Sequence, residues 1–439
     1  MFCARCFRRW AILNGAAVPD KRLSYFILGG LLIGLGAGLT VKVLGLPSEG
    51  ALTTARFLGE LFLRGLFMLI LPLMVPMVIT GIQKLSETEA LGRIGVHAVF
   101  AILGLTAIAA SIGLIVVSLL RPGEALPSSA LSAFATSLPA PSPRSWSDLL
   151  LALFPKNPLH EMAMAFTPAQ QGGLIAVVSF SILLGIALAR LPGELSRPLY
   201  QVLEALFQAS QWLLWKILWW LGAVGVAGLT FSAAVSLGWQ ILPLLTKYVG
   251  VVVLGLAIQM FIVYPVFLHF FAKKSPLKML LLSMPALLMA FSSASSNATL
   301  PVTLRVATER LGVAPAIARF ITTLGATVNQ NGTALYEGVT ILFLMQAFGL
   351  SPGLSEGALV IMMAMLIAIG AAGVPGGSLP LLAGLLPTFG VPASAIALIY
   401  GLDRLLDMLR PTLNVYGDLV IATYLHKVYA GTKHARSPD

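Results

Sequence analysis

Long apolar segments follow one another along most of the chain and limit its possible folds more than any other feature. In the first 271 residues they cover about 24–44, 57–82, 94–120, 173–191, 199–234 and 241–271. A helix needs roughly 20 apolar residues to cross a bilayer. Only 10% of the 439 residues are charged, whereas soluble domains carry about a quarter. The pattern predicts an all-α polytopic membrane protein.

The basic residues indicate how the chain is oriented in the membrane. With the basic N-terminus inside, every later basic cluster falls on the cytoplasmic side, and the long 121–171 segment, poor in basic residues, falls outside. This is the positive-inside pattern, so the net charge of +11 fits a plasma (inner) membrane protein with both termini cytoplasmic. It does not indicate nucleic-acid binding. The clusters are Lys84, Arg93, Arg190, Arg197, Lys273, Lys274, Lys278, Lys427, Lys433 and Arg436.

After Lys278 the apolar pattern is interrupted in a repeated way. Small and polar residues break two apolar segments at 292–301 and 370–380. Neither flanking half is long enough to cross alone, so each segment is predicted to be a re-entrant hairpin. Each is followed by a longer span with a polar interruption, at 329–333 and 403–418. Paired interrupted segments of this kind indicate a transporter site built from inverted repeats.

The last span carries charged residues on one face. Asp407, Arg410, Asn414 and Asp418 are spaced three and four apart, and Asp403 continues the same face. Ionisable groups at membrane depth are costly and usually functional. A guanidinium can grip a substrate carboxylate, while an aspartate can hold an ammonium or a cation. The alternative is a set of internal salt bridges that join helices.

The preceding span carries a second polar group. Asn329, Asn331 and Thr333 surround Gly332, which would permit an unwound turn whose carbonyl groups could bind a cation. The alternative is a helix kink with satisfied amides. Glu337 follows one turn later, and a carboxyl group at membrane depth can carry protons. A hydrogen-bonded structural glutamate is the alternative there.

Four motifs now identify a family resemblance. They are Ser295-Ser-Asn-Ala-Thr-Leu-Pro301, Gly325-Ala-Thr-Val-Asn-Gln-Asn-Gly-Thr-Ala-Leu-Tyr-Glu337, Ala372-Gly-Val-Pro-Gly376 and Leu406-Asp-Met-Leu-Arg-Pro-Thr-Leu-Asn-Val-Tyr-Gly-Asp418. With these four motifs in this order, the chain resembles the dicarboxylate/amino acid:cation symporters. This family includes the glutamate transporters and their prokaryotic homologues. The resemblance implies eight transmembrane helices, two re-entrant hairpins, inverted repeats, a homotrimer and an elevator mechanism.

The resemblance also implies a division of the chain into a scaffold and a moving transport domain. The expected parts are a cytoplasmic tail (1–23), scaffold spans 1 and 2 (24–93), transport span 3 (94–120), an extracellular loop (121–171), scaffold spans 4 and 5 (172–235), the transport domain with span 6, both hairpins and spans 7 and 8 (236–430), and a second cytoplasmic tail (431–439).

By matching position, the resemblance assigns roles to individual residues. Arg410 would bind the substrate's side-chain carboxylate, Asp407 its α-amino group and Asn414 its α-carboxylate. The other substrate-binding positions would be Ser296, Thr333, Val374 and Ser378. The cation-binding positions would be Gly325, Thr327, Asn329, Asn331, Ala368, Ile369, Ala371, Asn414 and Asp418. Glu337 would carry a proton, and no cofactor is implied besides sodium ions and protons as coupling ions.

The sequence departs from the family at several of these positions. Asn331 replaces a carboxylate of a third sodium site, and Gln330 replaces a methionine at a sodium site. Pro411 replaces a usual threonine beside the substrate. In span 3 only Thr106 retains an oxygen of the third site, because Ala101, Ile102 and Leu105 occupy the other positions. We therefore expect a weakened third sodium site.

These observations predict a symporter that couples sodium or proton gradients to uptake of acidic amino acids or dicarboxylates. Its partners would be an acidic small molecule, the lipid bilayer and two further copies of the chain, without nucleic acid. A neutral amino acid transporter or exchanger of the same fold is an alternative, against which Arg410 argues. An intramembrane enzyme is a weaker alternative, because the serines at 292–296 have no histidine partner in a membrane segment. A channel would require an open pore.

Overall fold

The computed structural model describes residues 21–47, 49–86, 93–124, 151, 154–164, 173–370 and 378–429. These residues form helices without a single strand, which confirms the all-α prediction for the described part of the chain. The helices are α1 (Lys21–Leu44), α2 (Glu49–Phe67), α3 (Ile70–Ser86), α4 (Arg93–Leu120), α5 (Pro158–Met164), α6 (Gly173–Arg190), α7 (Gly193–Leu237), α8 (Ile241–Ile258), α9 (Tyr264–Phe267), α10 (Pro276–Ser293), α11 (Ser296–Arg305), α12 (Pro315–Val328), α13 (Asn331–Ala347), α14 (Leu354–Gly370), α15 (Ser378–Leu385) and α16 (Ala397–Tyr429).

Several helical segments have the length and hydropathy of membrane spans. Five stretches among the described residues qualify: Tyr25–Leu44, Glu49–Gln83, Arg93–Leu120, Gly193–Ala272 and Pro276–Ser293. The Gly193–Ala272 stretch contains 80 residues, several times the roughly 20 that one crossing requires. It holds α7 and α8, which the 3₁₀ turn Gly238–Gln240 separates. The chain is therefore a polytopic membrane protein, and the total of eight spans stays a prediction.

The second predicted span is divided into two helices. The sequence predicts one helix over about 57–82, but α2 begins at Glu49 and ends at Phe67, and α3 begins at Ile70. Pro72 lies in the first turn of α3. A proline has no N–H group, and its ring clashes with the carbonyl group four residues earlier, here that of Met68. The helix therefore ends before this position and restarts where proline is tolerated.

Close contact between α1 and α7 depends on small residues. Gly30, Gly34 and Gly38 repeat every fourth residue along one face of α1. A Cβ atom on Gly38 would lie 2.7 Å from the Phe231 carbonyl oxygen of α7, and the other two glycines are similarly close to α7 backbone. Small residues at such spacing allow membrane helices to pack backbone against backbone. The same helix α7 also packs against α2 and α3.

The first predicted hairpin break coincides with an interruption of helix, and the second falls largely on residues outside the described part of the chain. In the first, α10 ends at Ser293, Ala294 adopts a left-handed conformation with φ 50°, and the Ser295 side chain accepts a hydrogen bond from Ala298 N to begin α11. In the second, α14 ends at Gly370 and α15 begins at Ser378. Residues 371–377, including Ala371 and Val374, lie outside the described part of the chain.

The last helix, α16, places its polar face inside the protein. It is one continuous helix from Ala397 to Tyr429, with Pro411 inside it. It packs against α10, α12 and α13, so the charged face predicted from the sequence is turned away from lipid. The five polar residues of that face, each at most 6% exposed, are Asp403, Asp407, Arg410, Asn414 and Asp418.

Candidate substrate and cation site

The polar interruption of the seventh predicted span is a real break in the helix. α12 ends at Val328, and Asn329 and Gln330 have non-helical backbone angles before α13 begins at Asn331. Both residues are buried. Non-helical backbone at membrane depth is tolerated only where protein or a water-filled cavity satisfies it. The break therefore brings unusual polar backbone and amide side chains to the centre of the protein.

Gly332 does not form the unwound turn that the sequence predicted. It lies in the first turn of α13, one residue after the break. A Cβ atom there would lie 2.7 Å from the Arg410 carbonyl oxygen on α16. The glycine is therefore needed for the close approach of α13 to α16, and the non-helical conformation belongs to Asn329 and Gln330.

Arg410 is the centre of a charged cluster on α16. Its Nη2 atom lies 3.0 Å from Asp403 Oδ1 and 2.7 Å from Asp407 Oδ1. Its guanidinium carbon lies 4.1 Å from the centre of the Tyr336 ring, a cation–π contact. All three charged residues belong to one helix, so these ion pairs do not join helices as the structural alternative required.

The same guanidinium retains donors that nothing in the described residues uses. Arg410 Nε and Nη1 are buried and have no hydrogen-bond partner there. Buried donors are normally paired, and an unpaired one costs about 1–3 kcal/mol. These atoms are suited to a ligand carboxylate. Two carboxylates also share one guanidinium, so a ligand ammonium group beside Asp407 would improve the charge balance.

Asp418 and Asn329 form a second polar pair, between α16 and the break. Asn329 Nδ2 donates to Asp418 Oδ1 at 2.7 Å, and both residues are buried. Asn329 Oδ1 has no partner among the described residues. Gly325 faces this carboxylate so closely that a Cβ atom on it would overlap Asp418. A carboxylate beside an unpaired amide oxygen is the kind of oxygen-rich group that suits a hard cation.

Asn331 lies between two hydroxyl groups. The Thr106 hydroxyl is 2.6 Å from Asn331 Oδ1, and Asn331 Nδ2 donates to the Tyr264 hydroxyl at 2.8 Å. Tyr264 in turn donates to the Leu413 carbonyl oxygen at 3.3 Å. The three side chains form a neutral bridge that connects α4, α9 and α13. They occupy the region where the family resemblance implies a third sodium site.

Four of the remaining predicted positions lie in described helices. Ser296 begins α11 at the tip of the first hairpin and is buried, as is Ala368 near the end of α14. Ile369 follows in the same helix. The Thr327 hydroxyl donates to the Leu324 carbonyl oxygen of its own helix at 2.9 Å, so a cation there would use the Thr327 backbone.

Glu337 lies on α13, one turn after Thr333. It is fully buried, and neither carboxyl oxygen has a hydrogen-bond partner within standard geometry in the described part of the chain. Ser378, another predicted substrate-binding position, begins α15 and is buried. The structural alternative required a well hydrogen-bonded glutamate, which this carboxyl group is not. The role of Glu337 as a proton carrier stays a prediction.

Four site residues were missed by sequence reasoning: Gln259, Tyr264, Tyr336 and Gly417. Gln259 is the first residue of a π-helical turn, Gln259–Val263, that continues α8, and Tyr264 follows this turn. Such turns are frequent at functional sites. A Cβ atom on Gly417 would lie 2.6 Å from the Tyr264 hydroxyl oxygen and 2.8 Å from Asn329 Nδ2. A lone glutamine in an otherwise apolar span was the signal available in the sequence.

An all-helical membrane protein with buried, partly unpaired polar groups beside broken helices belongs to the class of secondary transporters. The family model of the sodium:dicarboxylate symporter family matches residues 23–428, nearly the whole chain. The chain belongs to this family and is a cation-coupled transporter.

Similar proteins include both acidic and neutral amino acid transporters. The Caenorhabditis elegans protein glt-4, named for sodium-dependent excitatory amino acid transport, is 30% identical over 93% of this chain and 90% of its own length. The human neutral amino acid transporter A is 32% identical over 92% of this chain and 82% of its own length. Mouse excitatory amino acid transporter 3 is 29% identical over 82% and 77%, respectively.

Proposed function

We propose that this protein is a symporter that takes up acidic amino acids with cations. The observation that carries the proposal is Arg410, a buried guanidinium with unused donors at Nε and Nη1. A second carboxylate on the substrate would supply acceptors for them. The carboxylates of Asp403 and Asp407 on the same group favour a ligand that also carries an ammonium group, and thus an amino acid over a plain dicarboxylate.

A sodium ion would bind at Asp418. The residues fit it, because the Asp418 carboxylate, the unpaired Asn329 Oδ1 and the backbone near Gly325 offer oxygen atoms in a water-poor environment. Carbonyl groups of unwound helix ends complete such sites in transporters. The ion would supply positive charge that holds these oxygens together and raises substrate affinity. A second ion at the Thr327 and Ala368–Ala371 backbone follows from the family resemblance.

Transport of one substrate molecule would be coupled to fewer than three sodium ions. Asn331 offers a neutral amide where the family pattern has a carboxylate, and its amide atoms already bond Thr106 and Tyr264. Loss of a negative charge weakens a cation site strongly where little water compensates. Glu337 would carry a proton that supplies part of the driving force.

Family membership supports a proposal for the remaining architecture. We propose a homotrimer in the plasma (inner) membrane, with both termini cytoplasmic, whose α1, α2, α3, α6 and α7 form a static scaffold. The other helices would move as an elevator. Packing of α7 against α1, α2 and α3, and of α4 against α13, is compatible with this division. The protein would act as a transporter and not as an enzyme.

A neutral amino acid is the alternative substrate, because relatives of similar identity are named as neutral amino acid transporters. Uptake of radiolabelled aspartate, glutamate, succinate, alanine and serine into proteoliposomes decides between them, with sodium and proton gradients imposed separately. The proposal predicts uptake of aspartate or glutamate that requires one of the two gradients. A preference for alanine or serine would contradict it.

A further inference from the structure

Three polar side chains at the candidate substrate site bond to one another: Gln330, Thr333 and Asn414. Asn414 Nδ2 donates to Gln330 Oε1 at 2.6 Å, and the Thr333 hydroxyl donates to the same oxygen at 3.2 Å. Asn414 and Thr333 are two of the residues assigned to the substrate. Gln330 is 3% exposed, so water cannot readily replace these bonds. One side-chain oxygen thus occupies donors on both α13 and α16.

The orientation of these amides is fixed by backbone groups at both ends. The Gly332 N–H donates to Asn414 Oδ1 at 2.7 Å, so Asn414 must turn its Nδ2 toward Gln330. At the other end Gln330 Nε2 donates to the Ala326 carbonyl oxygen at 3.2 Å, so Gln330 must turn its oxygen toward Asn414. Amide orientation is assigned from such networks, and here only one assignment satisfies both backbone groups.

Gln330 Oε1 therefore accepts the hydrogen bonds that a carboxylate oxygen of a substrate would accept. It accepts hydrogen bonds from Asn414 and Thr333, and it has two lone pairs, as a carboxylate oxygen has. The second Nδ2 hydrogen of Asn414 faces the Thr333 hydroxyl oxygen at 3.4 Å, so a substrate carboxylate that uses these donors must replace bonds of the group centred on Gln330. The methionine of the family pattern at this position is no match, since a thioether is only a weak acceptor.

We propose that Gln330 is an internal competitor of the substrate carboxylate and thereby sets substrate affinity. The amino acid's α-carboxylate takes the Asn414 and Thr333 donors, and the Gln330 amide is displaced from them. This inference rests on the proposed function for the identity of the ligand. It concerns a residue to which the family resemblance assigns no contact with substrate.

The test compares Gln330→Met and Gln330→Asn with the parent protein. Methionine has a similar shape but is a weak acceptor, and asparagine keeps the amide but is one methylene too short to reach Asn414. Gln346→Met is the matched control, because Gln346 lies on the same helix α13 but bonds the Val117 carbonyl oxygen and the Gly123 N–H instead. Dissociation constants are measured in detergent by calorimetry for the same panel of amino acids and dicarboxylates.

Both Gln330 variants should bind the preferred carboxylate ligand about three- to tenfold more tightly, since one net hydrogen bond is worth about 0.5–1.5 kcal/mol. The Gln346→Met control should bind as the parent does. The thermal unfolding midpoint of substrate-free Gln330→Met should fall, because Asn414 loses its acceptor, and ligand should raise this midpoint by more than in the parent.

Each result bears on one of the two claims. Equal or weaker binding by both Gln330 variants would overturn the competitor role, and weaker binding would show that Gln330 supports the bound substrate. A parent protein that prefers neutral amino acids would overturn the acidic-substrate proposal. The ratio of the dissociation constants of variant and parent for the preferred ligand would still test the role of Gln330. A ligand that binds only the Gln330 variants would support the competitor role, and no binding by any form would refute both claims.

Discussion

The Thr106 hydroxyl lies 2.6 Å from Asn331 Oδ1, although 225 residues separate the two in sequence. On its other side Asn331 bonds Tyr264, so a neutral amide connects three helices. A carboxylate in its place could not donate to Tyr264 and would bring a negative charge that needs a counterion. The choice of asparagine at this position therefore affects both the stability of the empty carrier and its ion requirement.

Asn331→Asp should make the stability of the protein depend on sodium. Without sodium, the variant would bury a charged group whose bond to Tyr264 is lost, and we expect the free energy of unfolding to fall by about 1–3 kcal/mol or more. Thermal unfolding midpoints in sodium and in choline would measure this, with Asn157→Asp, at a surface turn, as control. Equal midpoints of variant and parent in choline would contradict the expectation.

The same position should determine how many sodium ions are coupled. We expect reversal-potential measurements in proteoliposomes to give fewer than three sodium ions per substrate for the parent, because the third site lacks a carboxylate. A ratio of three would refute the lost site and mean that sodium binds beside Asn331 as it stands.

Arg410→Thr should abolish binding of acidic substrates and admit neutral ones. Truncation of one partner of a buried charged pair costs about 3–5 kcal/mol, which corresponds to several hundred-fold or more in affinity. Arg64→Thr is the control, because this arginine pairs with Glu60 on an exposed helix face. Competition binding with aspartate and serine measures the change.

Because Arg410→Thr also removes the guanidinium beside Asp403 and Asp407, a second variant is needed to separate loss of binding from loss of folding. Arg410→Lys retains the charge with different geometry and should bind acidic substrate weakly. Aspartate binding of parental strength in folded samples of either variant would show that the carboxylate is held elsewhere.

Asp418→Asn should weaken sodium dependence more than substrate recognition. The amide lacks the charge that attracts a cation, whereas its oxygen can still accept the hydrogen bond from Asn329 Nδ2. We expect the sodium concentration for half-maximal substrate binding to rise about tenfold or more, as charged hydrogen bonds are worth about 1.5–3 kcal/mol. Glu124→Gln, at an exposed ion pair with Arg121, should leave it unchanged. An unaltered sodium titration in Asp418→Asn would remove this residue from the cation site.

Glu337→Gln should flatten the pH dependence of uptake. If a proton enters with substrate on Glu337, parental uptake falls as the external pH rises, because fewer carriers hold the proton. Glutamine mimics the protonated carboxyl group and cannot titrate, so its uptake should vary little over the same range. The control is Glu356→Gln, at the start of α14 beside Ser355. Identical profiles for Glu337→Gln and parent would exclude Glu337 from coupling.

The sequence by itself was sufficient for the fold class, the polar face of α16 and the family. Apolar segments of spanning length and charged residues at helical spacing are local features of the sequence. In a bilayer few backbone conformations other than a helix are possible for such segments. For the same reason, the break between α12 and α13 could be predicted to within two residues. Its location at Asn329 and Gln330, and not at Gly332, could not.

Only the tertiary structure decided which polar side chains meet. Thr106, Tyr264 and Asn331 come from three distant segments, and nothing in the spacing of any one segment relates them. The hydrogen bond of Gln330 to Asn414 spans 84 residues and depends on how closely α13 approaches α16 at Gly332. Such contacts arise from the packing of helices, and side-chain hydrogen bonds require distances that only this packing fixes.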